Sequence, residues 1–271
     1  MDARTFLGME PVGDELHWRM KVEARLTTPG EFLFGGCGLG AAVVALEAAA
    51  GRPTVWATGQ YLSYARTGSE LQWEVTLAAV GKHVTQARAV GNVDGREILT
   101  VNAALGTDEL EIGGVWETPP DVPGPDECPV RQLPETFQNR IMTSIETRTA
   151  RGRAFADLDG TPGPADSALW VRIPGHLTPS AATLAIMADH VAGAVSQPTG
   201  HHAIGRSLDN TLRMVQLYPT EWVLCEMRIH ALVGGFGQGT AFLWSEDGEL
   251  LATASQSVGV RLWPGHVPRP L

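Results

Sequence analysis

The chain has 271 residues, enough for one large domain or two of roughly 135 residues each. Hydrophobic residues make up 44% and charged residues 18%, a globular composition that excludes a wholly disordered chain. The 20 Lys and Arg against 30 Asp and Glu give a net charge of −10, which argues against a general nucleic-acid binder.

The sequence gives no sign of a membrane span, a secretory signal or a metal site. No apolar run approaches the roughly 20 residues that a spanning helix needs, and the start Met1 to Arg4 does not resemble a signal peptide. The three cysteines, Cys37, Cys128 and Cys225, are too few and too scattered for a disulfide framework or a zinc site. We therefore expect a cytoplasmic protein without a metal or a cofactor.

The first predicted helix covers residues 40–50, which are rich in alanine, apolar on nearly every face and followed by Gly51. Such a helix is buried, so other elements must surround it. The glycines before it predict either free N–H groups that face a ligand or close packing of the helix on a sheet. Residues 36–41 also fit a relaxed dinucleotide-binding fingerprint, but no second crossover helix follows, which disfavours that fold.

The rest of the first half is predicted to be β-structure, followed by a connector. Alternating segments predict strands at 54–65, 71–80, 83–91 and 97–105. Residues 106–135 then hold eight acids, six prolines and one base, Arg131. Proline removes backbone donors and the segment is poor in apolar residues, so we interpret 106–135 as a linker.

The second half repeats this pattern and contains one anomaly. A helix is predicted over 179–192, with strands at 168–174, 203–215, 221–233, 238–245 and 250–263. Asp189 interrupts the apolar helix, and a carboxylate is rarely buried without partners. It either lies on a polar face or at the helix end, or it lines an internal cleft and acts on water or a substrate proton.

The two halves look like copies of each other. Asp94-Gly95 and Asp247-Gly248, which are 153 positions apart, both give a strong hairpin signal, and Trp73 and Trp222 are 149 apart. Duplication is the economical explanation, with chance similarity among hairpins as the alternative. A helix wrapped by antiparallel strands in each half predicts an α+β double hot-dog fold with one continuous curved sheet. The predicted units are 1–105, the linker 106–135, and 136–271.

Several motifs, in order, resemble the acyl-CoA thioesterase II family of double hot-dog hydrolases. The resemblance rests on these segments, in order: Leu33-Phe34-Gly35-Gly36 before the small-residue helix, residues 91–99, Ala188-Asp189, Ser207-Leu208-Asp209, residues 221–224, and residues 250–256 running into Val260-Arg261. It implies that Asp189, Ser207 and Gln256 hold the attacking water. It also implies that the oxyanion and substrate are bound at Gly35, Gly36, Cys37 and Gly38.

The sequence departs from the family in places, and its repeat has an asymmetry. The family usually has glutamine where Cys37 stands, and the stretch after Asp209 lacks the usual His and aromatic-His-Arg-Pro run. When the halves are aligned by the spacing of 149, Ser207 corresponds to Thr58 and Asp189 to Gly40. By the spacing of 153, Gln256 corresponds to Ala103. Only the second half keeps the polar set, so we expect one site per chain.

The function implied is hydrolysis of acyl-CoA thioesters to free acid and CoA, with CoA as part of the substrate rather than a cofactor. The alternatives are a non-catalytic acyl-CoA-binding module and a hot-dog hydratase or dehydratase. Hot-dog proteins tend to pair through sheet edges, so we expect a homo-oligomer, a dimer or a dimer of dimers. A group of arginines after the linker could meet the CoA phosphates, although arginines on a strand face are more often solvated: Arg140, Arg148, Arg151 and Arg153.

Overall fold

One 13-stranded antiparallel sheet organises the chain. The computed structural model describes residues 1–175 and 177–263. Within them the helices are α1 Ala3–Leu7, α2 Gly35–Ala50, α3 Ile141–Ser144, α4 Ala181–Met187, α5 Val191–Ala194 and α6 Ser196–Thr199. The strands are β1 Glu10–Val12, β2 Asp14–Lys21, β3 Thr54–Tyr61, β4 Glu70–Val80, β5 Val84–Val93, β6 Arg96–Gly106, β7 Glu146–Arg151, β8 Asp166–Arg172, β9 Ala203–Ser207, β10 Asp209–Met214, β11 Val223–Val233, β12 Phe236–Ser245 and β13 Leu250–Leu262.

The sheet runs without a break from one half of the chain into the other. Its order is β1-β2-β4-β5-β6-β3-β10-β13-β12-β11-β8-β7, and β9 pairs with β13 outside this path. The central pair is β3 and β10, where Thr58 lies opposite Thr211 and their Oγ1 atoms are 3.0 Å apart. The predicted α+β double hot-dog fold with one continuous sheet is therefore confirmed.

The strand pairings correct the predicted correspondence between the halves. The β-bulge at Leu77 in β4 has a counterpart at Ile229 in β11, 152 positions later. Thr58 and Thr211 face each other at a separation of 153. Thr58 is thus equivalent to Thr211, and its predicted match with Ser207 was wrong. The spacing of 149 between Trp73 and Trp222 gave a wrong alignment of the two halves, because Trp73 has no tryptophan counterpart in β11.

Helix α2 begins five residues before its predicted start and packs against the sheet and α4. Glycines allow this close approach. A Cβ atom at Gly36 would lie 2.9 Å from the carbonyl oxygen of Ala185, and one at Gly40 would lie 2.8 Å from that of Ala182. The two helices meet backbone to backbone, whereas the packing interpretation of the glycines had expected close packing of the helix on a sheet.

The predicted helix over 179–192 was wrong in its second half. Helix α4 starts with a capping box between Ser180 and Thr183 and ends at Met187. The N–H of Ala188 donates to Leu184 and that of His190 donates to Ala188, so Asp189 lies in a turn. Short helices α5 and α6 follow. The carboxylate of Asp189 therefore projects from a helix end rather than from a helix face.

The segment predicted as one strand over 203–215 is two strands, β9 and β10. At the break, the N–H of Leu208 donates to the carbonyl of Ser257, and the Asp209 carboxylate accepts the N–H of Ser257 at 2.7 Å. A side chain thus replaces a backbone partner, and the register against β13 shifts by one residue after Ser207. Helix α1 and strands β1, β2 and β7 were not predicted. No helix in the described ranges is long and apolar enough to cross a membrane.

Candidate active site

The carboxylate of Asp189 is held by two donors from distant parts of the chain. Its Oδ2 accepts the backbone N–H of Gly36 at 2.6 Å, and its Oδ1 accepts a hydrogen bond from Nε2 of Gln256. Only 4% of Asp189 is exposed. The turn after α4 brings the carboxylate to the amino end of α2, where helix N–H groups are free to donate.

Burial raises the pKa of Asp189 from 3.8 to about 7, whereas the hydrogen bonds from Gln256 and Gly36 act in the opposite direction. Removal from water penalises the charged form, and the two donors offset only part of that penalty. A carboxyl group with a pKa near neutrality can accept a proton and release it again at physiological pH, which is what a general base requires.

Ser207 and Gln256 lie beside this carboxylate. Gln256 is 3% exposed in β13, and its Nε2 is 3.4 Å from Oγ of Ser207 at the end of β9. The strand break after Ser207 sets its hydroxyl next to the Gln256 amide. The structure thus brings the three predicted catalytic side chains into one hydrogen-bonded group.

The four residues predicted to bind the oxyanion have different surroundings. Gly35 lines the cavity described below, and its carbonyl accepts the hydroxyl of Tyr61 at 2.8 Å. The N–H of Gly36 is already bonded to Asp189, so it does not face a ligand as a free donor. Cys37 is fully buried, which raises the pKa of its thiol, and Gly38 packs against Leu99. Neither of them reaches the cavity wall.

A cavity of about 950 Å³ opens beside Asp189 and Ser207, which both line it. Its volume and its largely apolar wall suit an extended organic ligand. Side chains from both halves form that wall: Phe32, Phe34, Tyr61, Met142, Leu169 and Met227. The polar group of the second half therefore lies beside a cavity that the two halves share.

The arginines after the linker are mostly engaged with carboxylates. Arg151 and Arg153 line the cavity, but they are ion-paired like the other two. The pairs are Arg140–Glu31 at 2.9 Å, Arg148–Asp126 at 3.1 Å, Arg151–Asp166 at 3.5 Å and Arg153–Asp159 at 4.0 Å. This group is thus not the free basic patch that the sequence suggested.

Three residues of the site were not predicted as site residues. Tyr61 fixes the first turn of α2 through Gly35. His190 lines the cavity next to Asp189, and burial, aided by Arg131, lowers the pKa of His190 to about 3, so its imidazole is neutral. Arg131 also lines the cavity. The one signal in the sequence that could have pointed to Arg131 is that it is the single base in an acidic segment.

Among the described residues no group of His, Cys, Asp and Glu could hold a metal ion.

Comparison with known proteins places this architecture in a family. The sequence model of the acyl-CoA thioesterase C-terminal domain matches residues 125–260. No curated protein gives a significant match. The structure of a proposed thioesterase from Novosphingobium aromaticivorans is 32% identical, with a TM-score of 0.81 over 92% of this chain and 96% of the other.

Two further structures share the fold at lower identity. A hot-dog protein of unknown function from Alicyclobacillus acidocaldarius is 18% identical, with a TM-score of 0.82 over 98% of each chain. The acyl-CoA thioesterase II TesB2 from Mycobacterium marinum is 19% identical, with a TM-score of 0.72 over 98% of this chain and 99% of the other. With the family match and the 32% identical structure, these findings establish that the chain belongs to the acyl-CoA thioesterase family.

Proposed function

We propose that this chain hydrolyses acyl-CoA thioesters to a free acid and CoA, using a water molecule that Asp189, Ser207 and Gln256 hold for attack. The observation that carries the proposal is the buried Asp189 carboxylate, bonded to Gln256 and Gly36, at the wall of a 950 Å³ apolar cavity. Few structural roles require such a carboxylate, because burying it is costly.

The proposed reaction has two steps. The Asp189 carboxylate accepts a proton from water as the water oxygen forms a bond to the thioester carbonyl carbon. The tetrahedral intermediate then collapses, the carbon–sulfur bond breaks, and the proton on Asp189 passes to the departing thiolate. Ser207 and the Gln256 amide fix the position of the water, so that attack proceeds from a bound geometry.

The developing oxyanion lies, in this proposal, at the amino end of α2. The helix dipole is positive there, and Gly35 already lines the cavity. The N–H of Gly36 either stays with Asp189 or transfers to the oxyanion when that carboxyl takes up its proton. Cys37 and Gly38 contribute through the position of the helix rather than by contact.

The test of this function is thiol release from a panel of acyl-CoA esters that differ in chain length and branching. Release from at least one ester, with the free acid as the second product, is the expected result. Tight binding without release from any ester would instead support a non-catalytic acyl-CoA-binding protein. Addition of water across a double bond, with no thiol released, would support a hydratase.

The activity is expected to depend on pH through Asp189. Because the pKa of Asp189 is raised to about 7 and the base must be deprotonated, kcat/KM should rise as the pH increases from 5 to 8, with its midpoint near 7. The measurement is kcat/KM for one ester across this range. A profile that is flat or falls with pH would contradict the assignment of Asp189 as the base.

Replacing Ser207 with Ala is expected to lower kcat by about 10-fold to 100-fold, since the hydroxyl positions the water without reacting. Ser255→Ala is the matched control. Ser255 directly precedes Gln256 in β13, so the side chain of Ser255 lies on the opposite face of the sheet. The control should keep the wild-type rate. Equal rates for the two variants would show that Ser207 does not position the attacking water.

A further inference from the structure

The side chain of Arg131 is an unpaired cation in the wall of the cavity. Within residues 1–175 and 177–263, its guanidinium has no carboxylate within 4.0 Å and no hydrogen-bond partner. Of the other cavity-lining arginines, Arg151 and Arg153 are each paired with an aspartate, whereas Arg206 also lacks an ion pair among the described residues but is exposed to solvent. Arg131, at the end of the linker, therefore differs from the four arginines that follow it, Arg140, Arg148, Arg151 and Arg153, which are all ion-paired.

The backbone holds this side chain in place. Val130 forms a β-bridge with Arg148, the N–H of Arg131 donates to Thr147 at 2.9 Å, and the N–H of Thr149 donates to Pro129 at 3.0 Å. The end of the acidic segment is thus attached to the edge of β7. From this position Arg131 reaches α5, where a Cβ atom at Gly193 would lie 4.0 Å from its Nη2.

The surroundings of Arg131 make its isolation costly. Burial lowers the pKa of Arg131, and its charge contributes to the lowered pKa of the neighbouring His190. A guanidinium nonetheless stays protonated in proteins, so the charge persists. Arg131 is half-buried, and an unpaired charge that is partly removed from water carries a desolvation penalty, which an incoming anion would offset through charge-assisted hydrogen bonds.

We propose that Arg131 is an anion-binding residue of this cavity and pairs with a negatively charged group of the ligand. The identity of that ligand as an acyl-CoA thioester rests on the proposed function. Such a ligand offers two anionic groups, a carboxylate at the far end of a dicarboxylic acyl chain and a phosphate of CoA. Both match the planar donor pattern of a guanidinium.

The experiment measures binding rather than turnover, in an Asp189→Asn background that is expected to hydrolyse the ligand only slowly. Four thioesters form the ligand set: glutaryl-CoA, valeryl-CoA, and the same two acyl groups on pantetheine, which lacks the phosphates. Titration calorimetry gives the Kd of each, with and without the further substitution Arg131→Met. Losing a charge-assisted pair should weaken binding of the anionic ligands by about tenfold or more.

The pattern of weakening identifies the anion. Weakening confined to both glutaryl esters assigns Arg131 to an acyl carboxylate, and weakening confined to both CoA esters assigns it to a phosphate. Equal weakening of all four ligands, or no change in any, would overturn the proposal. Because thiol release by the wild type is measured separately, a protein that binds selectively without hydrolysis would refute the proposed function and not this inference.

Two further variants control for indirect effects. Arg213→Met removes an exposed arginine of β10 that does not line the cavity, and it should leave all four Kd values unchanged. Arg131→Lys keeps the charge and should retain part of the selectivity that Arg131→Met loses. Thermal melting completes the test: loss of an unpaired charge should not lower the Tm, whereas a large decrease would show that Arg131 has a structural partner.

Discussion

Asp189→Asn should lower kcat/KM for acyl-CoA hydrolysis by about 10²-fold to 10⁴-fold, the usual contribution of a general base. The amide has nearly the same shape as the carboxylate and can still accept the N–H of Gly36, but it cannot take a proton from water. The measurement is thiol release under saturating and subsaturating substrate. Retained turnover at the wild-type level would rule out Asp189 as the base.

The same substitution should make the protein more stable at pH 8. The folded-state pKa of about 7 lies above the ordinary 3.8, so the contribution of this group to stability is complete below about pH 4 and is lost as the pH rises through 7. At about 1.4 kcal/mol per pKa unit, the loss is on the order of 4 kcal/mol, and an amide avoids it.

Chemical denaturation at pH 4 and pH 8 checks this effect. The free energy of unfolding of Asp189→Asn should exceed that of the wild type at pH 8, whereas the two should converge near pH 4. A variant that is less stable than the wild type at pH 8 would show that the two hydrogen bonds to the carboxylate outweigh its burial.

Gly36→Ala should abolish most of the activity and also destabilise the fold. The new Cβ would lie 2.9 Å from the carbonyl oxygen of Ala185, 2.9 Å from the Cβ of Asp189 and 3.0 Å from the Cα of Ile186. Because these are backbone atoms or lie next to the backbone, α2 and α4 must separate. Overpacking of this kind costs about 1–3 kcal/mol, and displacing the Asp189 carboxylate by about 1 Å should reduce kcat about 100-fold.

Gly40→Ala separates these two consequences. Its Cβ would lie 2.8 Å from the carbonyl oxygen of Ala182, so it strains the same pair of helices one turn away from the Asp189 carboxylate. The two variants should lose similar stability, measured by chemical denaturation, but Gly36→Ala should lose more activity. If both lose the same activity, the Gly36–Asp189 hydrogen bond has no specific part in catalysis.

The long strands could be predicted from sequence, whereas the edges of the sheet could not. In β4, buried residues alternate with exposed ones through Leu71, Trp73 and Val75, and this alternation is what the sequence shows. All three residues of β1 are exposed, and in β2 only Trp18 and Met20 are buried. A strand that pairs at an edge without burying a face leaves little periodicity to detect.

The candidate site, like the sheet, could be predicted only in part from the sequence. Asp189, Ser207 and Gln256 could be named because motifs carry them, and the structure brings the three together. The hydrogen bond between Gly36 and Asp189 joins residues 153 positions apart, and no local pattern encodes it. Arg131 was overlooked because it lies in a segment whose composition indicates a connector. Composition does not show which single side chain of such a segment lines a cavity.

The continuous sheet has a consequence for how substrate preference can evolve. Thr58 and Thr211 meet at the centre as equivalent residues, much as they would in a dimer of identical subunits. In such a dimer both subunits have the same sequence, so every substitution changes both walls of a shared cavity at once. A single fused chain is free of that constraint. Phe32 of the first half can vary to suit a new acyl group, while Asp189 of the second half, the proposed base, stays unchanged.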